Sequence, residues 1–470
     1  MPHALKISGL TFKYYENSKR NIIDNLSLEI EAGTVNLILG RSGCGKSSLA
    51  ALIAGLYPEN GGFLSSGEIK IFGHDINEMN HAERSKFLAL MFQNPDLQFC
   101  MNILRKELIF CLENISTPPE KMDEIIFNTA SEFVMLEFLD RKFTTLSGGE
   151  KQKASLCCLM SLGSKIIILD EALANIDEKS SREIINFLAE YKNSGGTVIA
   201  IEHRPELWRG IADRYIIVGE GCKIIENNIK PSEFEKFNDI LKNYGIYGAY
   251  TGKKNFNKTK NKIAVSLKNF SIENLIKESN IDFQSGKITA LLGRSGAGKT
   301  TIFKAILKHH DYKGKIEING KNLENIKERE LFSEIGIVFQ NPANQFVTQK
   351  VFDEIRAGNS ASDETIEKLT QDFNLKQFEK YSPYMLSQGQ QRRLAVLSML
   401  IGNQKILLLD EPTYGQDLSS TEAIMTQLNS RVENENLTVI FITHDKELAR
   451  AWADEIFEIN DNGQIIKCEK

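Results

Sequence analysis

One glycine-rich pattern occurs twice in this chain of 470 residues, and it constrains the fold more than any other feature. The pattern G-x-x-x-x-G-K-[ST] reads GRSGCGKS at residues 40–47 and GRSGAGKT at residues 293–300. Each copy follows an apolar, strand-like run, at residues 35–39 and 288–292, and opens a helical pattern. Chance would place roughly 0.03 such matches in a chain of this length. The sequence therefore predicts two strand–loop–helix units that bind phosphate.

The spacing within both loops suits a nucleoside triphosphate. Glycines allow backbone N–H groups to curl around a phosphate chain at the positive end of the following helix. The lysine then reaches the β- and γ-phosphates, and the Ser or Thr hydroxyl completes a Mg²⁺ shell. We therefore predict nucleotide and Mg²⁺ at two places, on Gly40, Ser42, Gly43, Gly45, Lys46, Ser47 and Ser48, and on Gly293, Ser295, Gly296, Gly298, Lys299, Thr300 and Thr301.

The repeat extends well beyond the two loops. FQNP at residues 92–95 recurs at 339–342, LSGGE at 146–150 recurs as LSQGQ at 386–390, and IIILDE at 166–171 recurs as ILLLDE at 406–411. A period of about 240 residues indicates two duplicated domains, because solenoid repeats are far shorter. The length agrees with this, since two domains of roughly 200 residues are each large enough for a core.

The region between the copies sets the domain boundaries. Residues 231–244 are predicted to form one amphipathic helix, with Phe234, Phe237, Ile240 and Leu241 on a common face. Residues 245–262 have no apolar periodicity and are predicted to be the linker. The domains are then 1–244 and 263–470. Strands alternate with helices in each, which predicts an α/β fold with a mostly parallel sheet covered on both faces.

Composition excludes several classes of protein. The net charge is −5, so no basic field indicates nucleic-acid binding. The apolar runs end after about ten residues, whereas a membrane helix needs roughly 20. The start, MPHALK, lacks the apolar segment of a signal peptide.

Seven scattered cysteines show no C-x-x-C pair and no metal-binding spacing, which favours a reducing cytosol. Cys157 and Cys158 lie in an apolar helical stretch and are predicted to be core thiols. Cys44 lies inside the first phosphate loop. We interpret it as a small residue tolerated at that position, in preference to a redox switch.

The order of these motifs resembles that of the ATP-binding-cassette (ABC) ATPases. A phosphate loop, a glutamine loop, an LSGGQ-like signature, an apolar strand ending in Asp-Glu and a late histidine occur in both halves. The resemblance implies two tandem ABC nucleotide-binding domains, each with a mostly parallel sheet, flanking helices and a helical signature subdomain. FQNPDLQ at 92–98 and FQNPANQ at 339–345 resemble, more specifically, the cassettes of energy-coupling-factor transporters, which import vitamins and transition-metal ions.

The resemblance implies ATP and Mg²⁺ as the ligands and assigns the acidic pair in each half. Asp170 and Asp410 would hold Mg²⁺, together with Ser47 or Thr300. Each following glutamate, Glu171 or Glu411, would polarise the attacking water.

Further polar residues fall at positions that the family uses around the γ-phosphate. The glutamines would touch the metal or the water, the histidines would contact the γ-phosphate, and the D-loop aspartates would cross between domains. These residues are Gln93, Gln340, His203, His444, Asp177 and Asp417.

In this family two cassettes stack head to tail, so that each ATP lies between one phosphate loop and the signature of the other domain. The signature residues implied to contact nucleotide are Ser147, Gly148, Gly149, Ser387 and Gly389. The first three would contact the ATP bound by Lys299, and the last two would contact the ATP bound by Lys46. The two cassettes would therefore pair within the chain.

The two halves differ around the predicted adenine site. Tyr14 is placed to stack on adenine, with Tyr15 as its rival, whereas the matching stretch of the second half has Ile272. The signatures also differ, with Glu150 ending the first and Gln388 replacing a glycine in the second. Both catalytic glutamates remain, so we expect two competent sites of different affinity. A ring from the linker is the alternative source of stacking, namely Tyr247, Tyr250 or Phe256.

The segments after the glutamines, 94–113 and 341–356, mix aromatic residues with carboxylates. One interpretation is a groove on each cassette that receives a short helix of a membrane subunit. The other is ordinary core packing with a solvated acidic face. The first predicts that charge reversal at Glu107 or Glu354 uncouples transport from hydrolysis without unfolding the protein.

The family resemblance favours the ATP-hydrolysing motor of a membrane importer at the cytoplasmic face of the membrane. Its partners would be a hydrophobic coupling subunit and a substrate-binding subunit, with no nucleic acid. Two alternatives stay open: a soluble tandem-cassette ATPase acting on ribosomes, and the ATPase of another ABC transporter class. The sequence does not indicate the substrate.

Overall fold

The computed structural model describes residues 3–173, 178–203, 205–253, 262–294, 296–357 and 361–469. Its contacts divide the chain into two compact units, Met1–Gly248 (unit 1) and Ala249–Lys470 (unit 2). Asp177, Ser295 and Phe256, for which roles were predicted, lie outside the described residues.

Unit 1 contains an antiparallel sheet and a mostly parallel sheet. The antiparallel sheet has the order β2-β1-β4-β5, and the six-stranded sheet has the order β10-β9-β3-β8-β7-β6 with only β10 antiparallel to its neighbour. The strands are β1 (His3–Lys13), β2 (Ile23–Glu31), β3 (Val35–Gly40), β4 (Phe63–Ile71), β5 (His74–Asp75), β6 (Leu88–Met91), β7 (Ile166–Asp170), β8 (Thr197–Ile201), β9 (Arg214–Val218) and β10 (Ile224–Ile229).

The helices of unit 1 flank the six-stranded sheet and form the signature subdomain. They are α1 (Lys46–Ile53), α2 (His81–Phe87), α3 (Leu104–Asn114), α4 (Pro119–Glu132), α5 (Gly148–Ser161), α6 (Glu178–Asn193) and α7 (Asn238–Asn243). Helices α3, α4 and α5 pack on one another through buried apolar residues, so they make up the predicted helical subdomain.

Unit 2 repeats this architecture. Its sheets have the orders β12-β11-β14-β15 and β16-β17-β18-β13-β19-β20. The strands are β11 (Ile263–Ile272), β12 (Ile276–Gln284), β13 (Ile288–Gly293), β14 (Lys313–Ile318), β15 (Lys321–Asn322), β16 (Ile335–Val338), β17 (Ile406–Asp410), β18 (Thr438–Ile442), β19 (Glu455–Ile459) and β20 (Ile465–Cys468). The helices are α8 (Lys299–Ile306), α9 (Glu328–Glu334), α10 (Val351–Arg356), α11 (Asp363–Asp372), α12 (Gln388–Leu400), α13 (Leu418–Glu435) and α14 (Lys446–Trp452).

The central strands of each large sheet are buried along their whole length, as strands covered by helices on both faces should be. Strands β3, β7 and β8 run parallel, with Ile201 paired to Ile38 and to Asp170. Parallel strands bring their carboxyl ends to one edge of the sheet, where α/β proteins bind ligands. The phosphate loop, the Asp-Glu pair and the late histidine therefore lie at the same edge.

Two features differ from the sequence-based prediction. The four-stranded antiparallel sheets were not predicted, although their main strands run for 9–11 residues and β2 alternates buried and exposed positions. The predicted helix over 231–244 is a 3₁₀ helix, Pro231–Phe237, followed by the short helix α7. Residues three apart eclipse in a 3₁₀ helix, so Phe234 and Phe237 still share the face that packs on the core of unit 1.

Cys157 and Cys158 are buried on α5, which confirms the prediction that they are core thiols. Within the described ranges, the model contains no helix that combines the length and the apolar character needed to cross a membrane.

Candidate functional site

The phosphate loops adopt backbone conformations that favour glycine. The φ angles are 80° at Gly43 and 110° at Gly45, and 77° at Gly296 and 97° at Gly298. A Cβ atom at Gly45 would lie 2.6 Å from the carbonyl oxygen of Ile22. Helix α1 or α8 begins at the next residue, so each loop turns its backbone toward the positive end of a helix.

Both loop lysines are folded over their own loops. Lys46 Nζ donates hydrogen bonds to the carbonyl oxygens of Gly40 at 2.7 Å and Arg41 at 3.0 Å. Lys299 makes the same two contacts in its own loop, at 2.6 and 2.9 Å, and burial lowers its pKa. A buried ammonium group needs such partners, and phosphate oxygens can replace the carbonyl groups.

A hydroxyl and a carboxylate meet behind each loop. Ser47 Oγ donates to Asp170 Oδ1 at 3.0 Å, and Thr300 Oγ1 donates to Asp410 Oδ2 at 2.7 Å. Mg²⁺ prefers hard oxygen ligands and is commonly bound by one or two carboxylates with substrate phosphates, so this donor set fits the ion. Burial, with a contribution from the adjacent glutamate, raises the pKa of Asp170 to about 7 and that of Asp410 to about 6. A bound cation would reverse this shift.

The glutamates that follow these aspartates have strained backbones. Their φ angles are 50° at Glu171 and 52° at Glu411, in the left-handed region that costs a non-glycine residue of order 1–3 kcal/mol. Each conformation is held by an amide hydrogen bond across the sheet, from Glu171 to Ile201 at 2.9 Å and from Glu411 to Ile442 at 3.1 Å. Such strain clusters at functional sites, where it fixes the direction of a side chain.

The late histidines contact these glutamates. His203 Nε2 lies 2.8 Å from Glu171 Oε1, and His444 Nδ1 lies 3.2 Å from Glu411 Oε1. In unit 1, Gln93 Nε2 also donates to Glu171 Oε2. The structure thus brings together, within unit 1, the glutamine, glutamate and histidine predicted from the sequence. In unit 2 it brings the glutamate and the histidine together.

Tyr14 stands beside the first phosphate-loop helix with its ring 42% exposed. Its hydroxyl group lies 2.7 Å from Ser48 Oγ, and its ring meets Tyr57 edge-on at 5.8 Å. In unit 2 the matching Ile272 is only 2% exposed, although Tyr312 occupies a position like that of Tyr57. Unit 1 therefore presents a partly exposed aromatic residue that unit 2 lacks at this position.

The signature serines cap helices at their N-termini. Ser147 caps α5 and Ser387 caps α12, each in a capping box with the residue three positions on, Glu150 or Gln390. The positive end of a helix favours an anion. Asp417 is 1% exposed and caps α13, where its Oδ1 accepts from the Ser420 amide at 2.7 Å.

Arg392 is a buried residue near the unit 2 site that sequence analysis missed. Its Nη1 donates to the carbonyl oxygens of Asp410 at 3.3 Å and Glu411 at 3.0 Å, and its guanidinium lies 5.4 Å from the ring centroid of Tyr414. Unit 1 has Gln152 at the matching position. From the sequence, an arginine close to the signature is expected on the surface. The fold shows instead that Arg392 donates to the backbone of the strained Glu411.

Glu107 and Glu354, the two carboxylates chosen for charge reversal, are not on the surface, so this part of the docking prediction was wrong, whereas Asp96 and Asp353 in the same segments are exposed. Glu107 is 3% exposed, and its Oε2 accepts from the amides of Cys100 at 3.0 Å and Met101 at 2.7 Å. Glu354 is 4% exposed, and its Oε2 accepts from the amides of Val347 and Thr348, at 3.0 and 2.8 Å. Both buried carboxylates accept from partly buried loop amides, so neither forms the solvated acidic face of the second interpretation.

The aromatic residues of these segments are divided between core and surface. Phe99 stacks on Phe143 at a centroid distance of 3.7 Å, and Phe346 is 6% exposed. Phe352 is 41% exposed. The surface itself is more apolar than predicted, because Leu97 is 73% and Val347 is 81% exposed.

Burial of Asp170 predicts that the unliganded protein loses stability as the pH rises. The folded-state pKa of about 7 exceeds the ordinary value of 3.8, so between these values the folded chain keeps a proton that the unfolded chain loses. The free energy of unfolding therefore falls across this window. Asp170→Asn cannot ionise, so its stability advantage over the wild type should be larger at pH 8 than at pH 5. Urea unfolding without Mg²⁺ and nucleotide measures this, and equal differences at both pH values would contradict the prediction.

Comparison with known proteins agrees with this site. A family profile described as ABC transporter matches residues 23–174 and 276–414. The "Putative HMP/thiamine import ATP-binding protein YkoD" of Bacillus subtilis is 33% identical, covering 98% of this chain and 90% of that protein. The "Putative ABC transporter ATP-binding protein SSO1893" of Saccharolobus solfataricus is 30% identical over 98% of this chain and 93% of that protein. The solved structure of "RNase-L Inhibitor" has a TM-score of 0.62 at 16% identity, covering 98% of this chain and 90% of that chain, and shows a shared fold alone.

Proposed function

Because the chain belongs to the ABC transporter family, as an ATPase with two cassettes in tandem, we propose that it is the motor subunit of a membrane importer of the energy-coupling-factor type. The observation that carries the proposal is the similarity to the HMP/thiamine import protein, which extends over 98% of this chain. The FQNP segments in both halves agree with it. The similarity also makes a thiamine-related vitamin precursor a better first cargo to test than a metal ion.

In the proposed mechanism, the loop amides and the lysine of each unit bind the phosphate chain of ATP. Ser47 with Asp170, and Thr300 with Asp410, would hold Mg²⁺, which supplies neutralising charge at the phosphates when it is bound. A bound cation would favour the deprotonated form of each aspartate.

Each glutamate then accepts the proton of the attacking water, and the late histidine holds the glutamate in place through the contact already described. Both units retain these residues, which supports two competent sites. We also propose that the signature residues at the N-termini of α5 and α12 bind phosphate charge.

We propose that the membrane subunits contact the exposed apolar residues Leu97 and Val347, in place of the acidic residues predicted from the sequence. Both follow the glutamine loops and are among the most exposed apolar side chains in the described residues. Exposed apolar residues are typical of protein–protein contacts. Their position next to the glutamine loops would let a bound partner respond to ATP hydrolysis.

Affinity capture of the chain from detergent-solubilised membranes tests this proposal. We expect small hydrophobic membrane subunits to co-purify with the wild type, and recovery to fall about tenfold with a Leu97→Asp, Val347→Asp double variant. Tyr244→Asp, at a residue that is 44% exposed elsewhere on unit 1, is the control and should capture normally. Capture of ribosomes instead of membrane subunits would favour the soluble alternative.

Tyr14 should make the unit 1 site the tighter of the two. Stacking of an aromatic ring on a base contributes about 1–3 kcal/mol in nucleic-acid systems. The Lys299→Ala variant, which keeps the Lys46 loop, should therefore bind ATP several-fold more tightly than Lys46→Ala. Equilibrium binding without hydrolysis measures both affinities. Tyr14→Ala should erase most of the difference, whereas Tyr15→Ala should not. Equal affinities, or no effect of Tyr14→Ala, would contradict the adenine assignment.

A further inference from the structure

We propose that Cys44, in the first phosphate loop, and Cys222, in the turn between β9 and β10, form a reversible disulfide that switches off nucleotide binding at the Lys46 loop. The proposal replaces the interpretation of Cys44 as a merely tolerated small residue. It rests on the assignment of this loop to ATP for its functional consequence, but not for the bond itself.

The two cysteines are free and in direct contact. The amide of Cys222 donates to the carbonyl oxygen of Cys44 at 3.0 Å, and the two thiols lie close enough for each to shift the pKa of the other. This hydrogen bond brings the two main chains together, as a disulfide with Cα atoms about 4.4–6.8 Å apart requires. The Sγ atom of Cys222 also lies 3.1 Å from the point where a Cβ atom on Gly45 would stand. The thiol of Cys222 therefore packs directly against the backbone of the phosphate loop.

The charge around Cys44 favours the reactive thiolate. Lys46 Nζ lies 4.0 Å from Cys44 Sγ. The hydrogen bond from Cys222 and the charge of Lys46 lower the pKa of Cys44, against the opposing effect of burial. The thiolate is the nucleophile in thiol oxidation, so Cys44 would react first and Cys222 would resolve the product.

A second thiol pair in unit 1 lacks this charge. Cys111 on α3 and Cys158 on α5 are also free and close to each other. Cys111, burial and the nearby charge of Glu107 raise the pKa of Cys158 well above its ordinary value, as Cys44 and burial raise the pKa of Cys222. The lowered pKa of Cys44 beside Lys46 is what sets the loop pair apart. The two thiols of each pair are close together, but only the Cys44–Cys222 pair has a lysine, Lys46, beside it. The Cys111–Cys158 pair is therefore an internal control for the effect of proximity alone.

Unit 2 has neither cysteine. Gly40 pairs with Val218 in unit 1 as Gly293 pairs with Ile459 in unit 2. Counting from these pairs places Ala297 opposite Cys44 and Gly463 opposite Cys222. Oxidation should therefore affect one phosphate loop and leave the other intact.

The oxidant that we propose is a hydroperoxide, with hydrogen peroxide as its simplest form. The Cys44 thiolate attacks one peroxide oxygen, the O–O bond breaks, and hydroxide leaves and takes up a proton as water. The resulting sulfenic acid is attacked by the sulfur of Cys222, the S–O bond breaks, and a second water leaves. Two thiols and one peroxide thus give one disulfide and two waters. A dithiol reductant reverses the change by exchange.

Formation of this bond should restrain the loop. Two sulfur atoms in non-bonded contact are about 3.5–4 Å apart, whereas a disulfide holds them at about 2.05 Å. Rotation of the side chains closes this gap, and the bond then ties Cys44 to the turn after β9. Cys44 lies between Gly43 and Gly45, whose left-handed conformations aim the loop amides, so the bond restrains the groups that must wrap around phosphate.

The test uses the full chain carrying Lys299→Ala, so that ATP binding reports the Lys46 loop. The nucleotide-free protein is treated with hydrogen peroxide, digested without reduction and mapped by mass spectrometry, and ATP affinity is measured in parallel. We expect a linked Cys44–Cys222 peptide, Cys111 and Cys158 still reduced, and an ATP affinity at least about tenfold weaker. Dithiothreitol should restore the affinity.

Cys222→Gly, which takes the residue found in unit 2, is the matched control. Glycine suits this position, where φ is 53°. Before oxidation the variant should bind ATP like its parent. After peroxide it should form no link and carry a sulfenic acid on Cys44 that dimedone traps.

Three results would overturn the proposal. One is free Cys44 and Cys222 at a peroxide dose that oxidises the exposed Cys100. Another is a Cys111–Cys158 link forming first, and the third is a Cys44–Cys222 link that leaves ATP affinity unchanged. If the reduced protein bound no ATP at all, the ATP assignment of the loop would fail instead, while the linked peptide would still decide whether the bond forms.

Discussion

Replacing Glu171 and Glu411 together by glutamine should reduce ATP turnover by about 100-fold or more while ATP binding stays intact. Glutamine keeps the size of the side chain and its contact with His203 or His444, but it cannot accept the proton of the attacking water. The chemical step therefore fails, whereas the loop amides, the lysine and the aspartate still bind Mg-ATP. Steady-state phosphate release measures turnover, and equilibrium dialysis measures binding.

Each single variant should retain turnover from its intact unit, since both units keep the glutamate and the histidine. Lys46→Ala and Lys299→Ala provide the contrast, because each should weaken nucleotide binding at its own loop. If the double glutamate variant hydrolysed ATP at a rate near that of the wild type, the assignment of these residues as bases would be wrong. If both binding and turnover were lost, the glutamates would serve folding instead.

The parts of the site that the sequence predicted are those encoded by contiguous residues. The phosphate loop needs glycine at fixed steps from a lysine, so its position between β3 and α1 followed directly from the residue order. The strand that ends in Asp170 was also predicted, because an unbroken apolar run before a carboxylate indicates a buried parallel strand. The capping box of Ser147 with Glu150 is equally local, although it was not predicted.

The parts that the sequence did not predict depend on contacts between distant segments. Cys222 lies far from Cys44 along the chain, and only the pairing of β9 with β3 brings its turn beneath the loop. Arg392 and Glu107 are charged, so the sequence alone predicts that they lie on the surface. In the structure each is buried against backbone groups that need a hydrogen-bond partner. A buried charge is exceptional, and no local pattern distinguishes it from an exposed one.

Replacing Glu107 or Glu354 by lysine should therefore destabilise the protein, in contrast to the selective uncoupling predicted from the sequence. The Oε2 atom of each buried carboxylate accepts two partly buried amide hydrogen bonds from the loop that follows the glutamine, at 2.7–3.0 Å. Lysine removes this acceptor, leaves the amides unpaired and places an uncompensated charge in the interior. Such changes cost about 3–5 kcal/mol of the free energy of unfolding. Glutamine keeps one acceptor and should cost less.

The matched controls are exposed carboxylates on the same two helices. Glu113→Lys on α3 and Asp353→Lys on α10 reverse the same charge in solvent and should change stability by no more than about 0.5 kcal/mol. Urea unfolding of the wild type and the six variants gives the free energies, and uptake by reconstituted transporter gives the activity. We expect loss of uptake to follow loss of stability across the series. Full stability of Glu107→Lys or Glu354→Lys with uptake abolished would contradict the buried role, and would return these carboxylates to the docking surface.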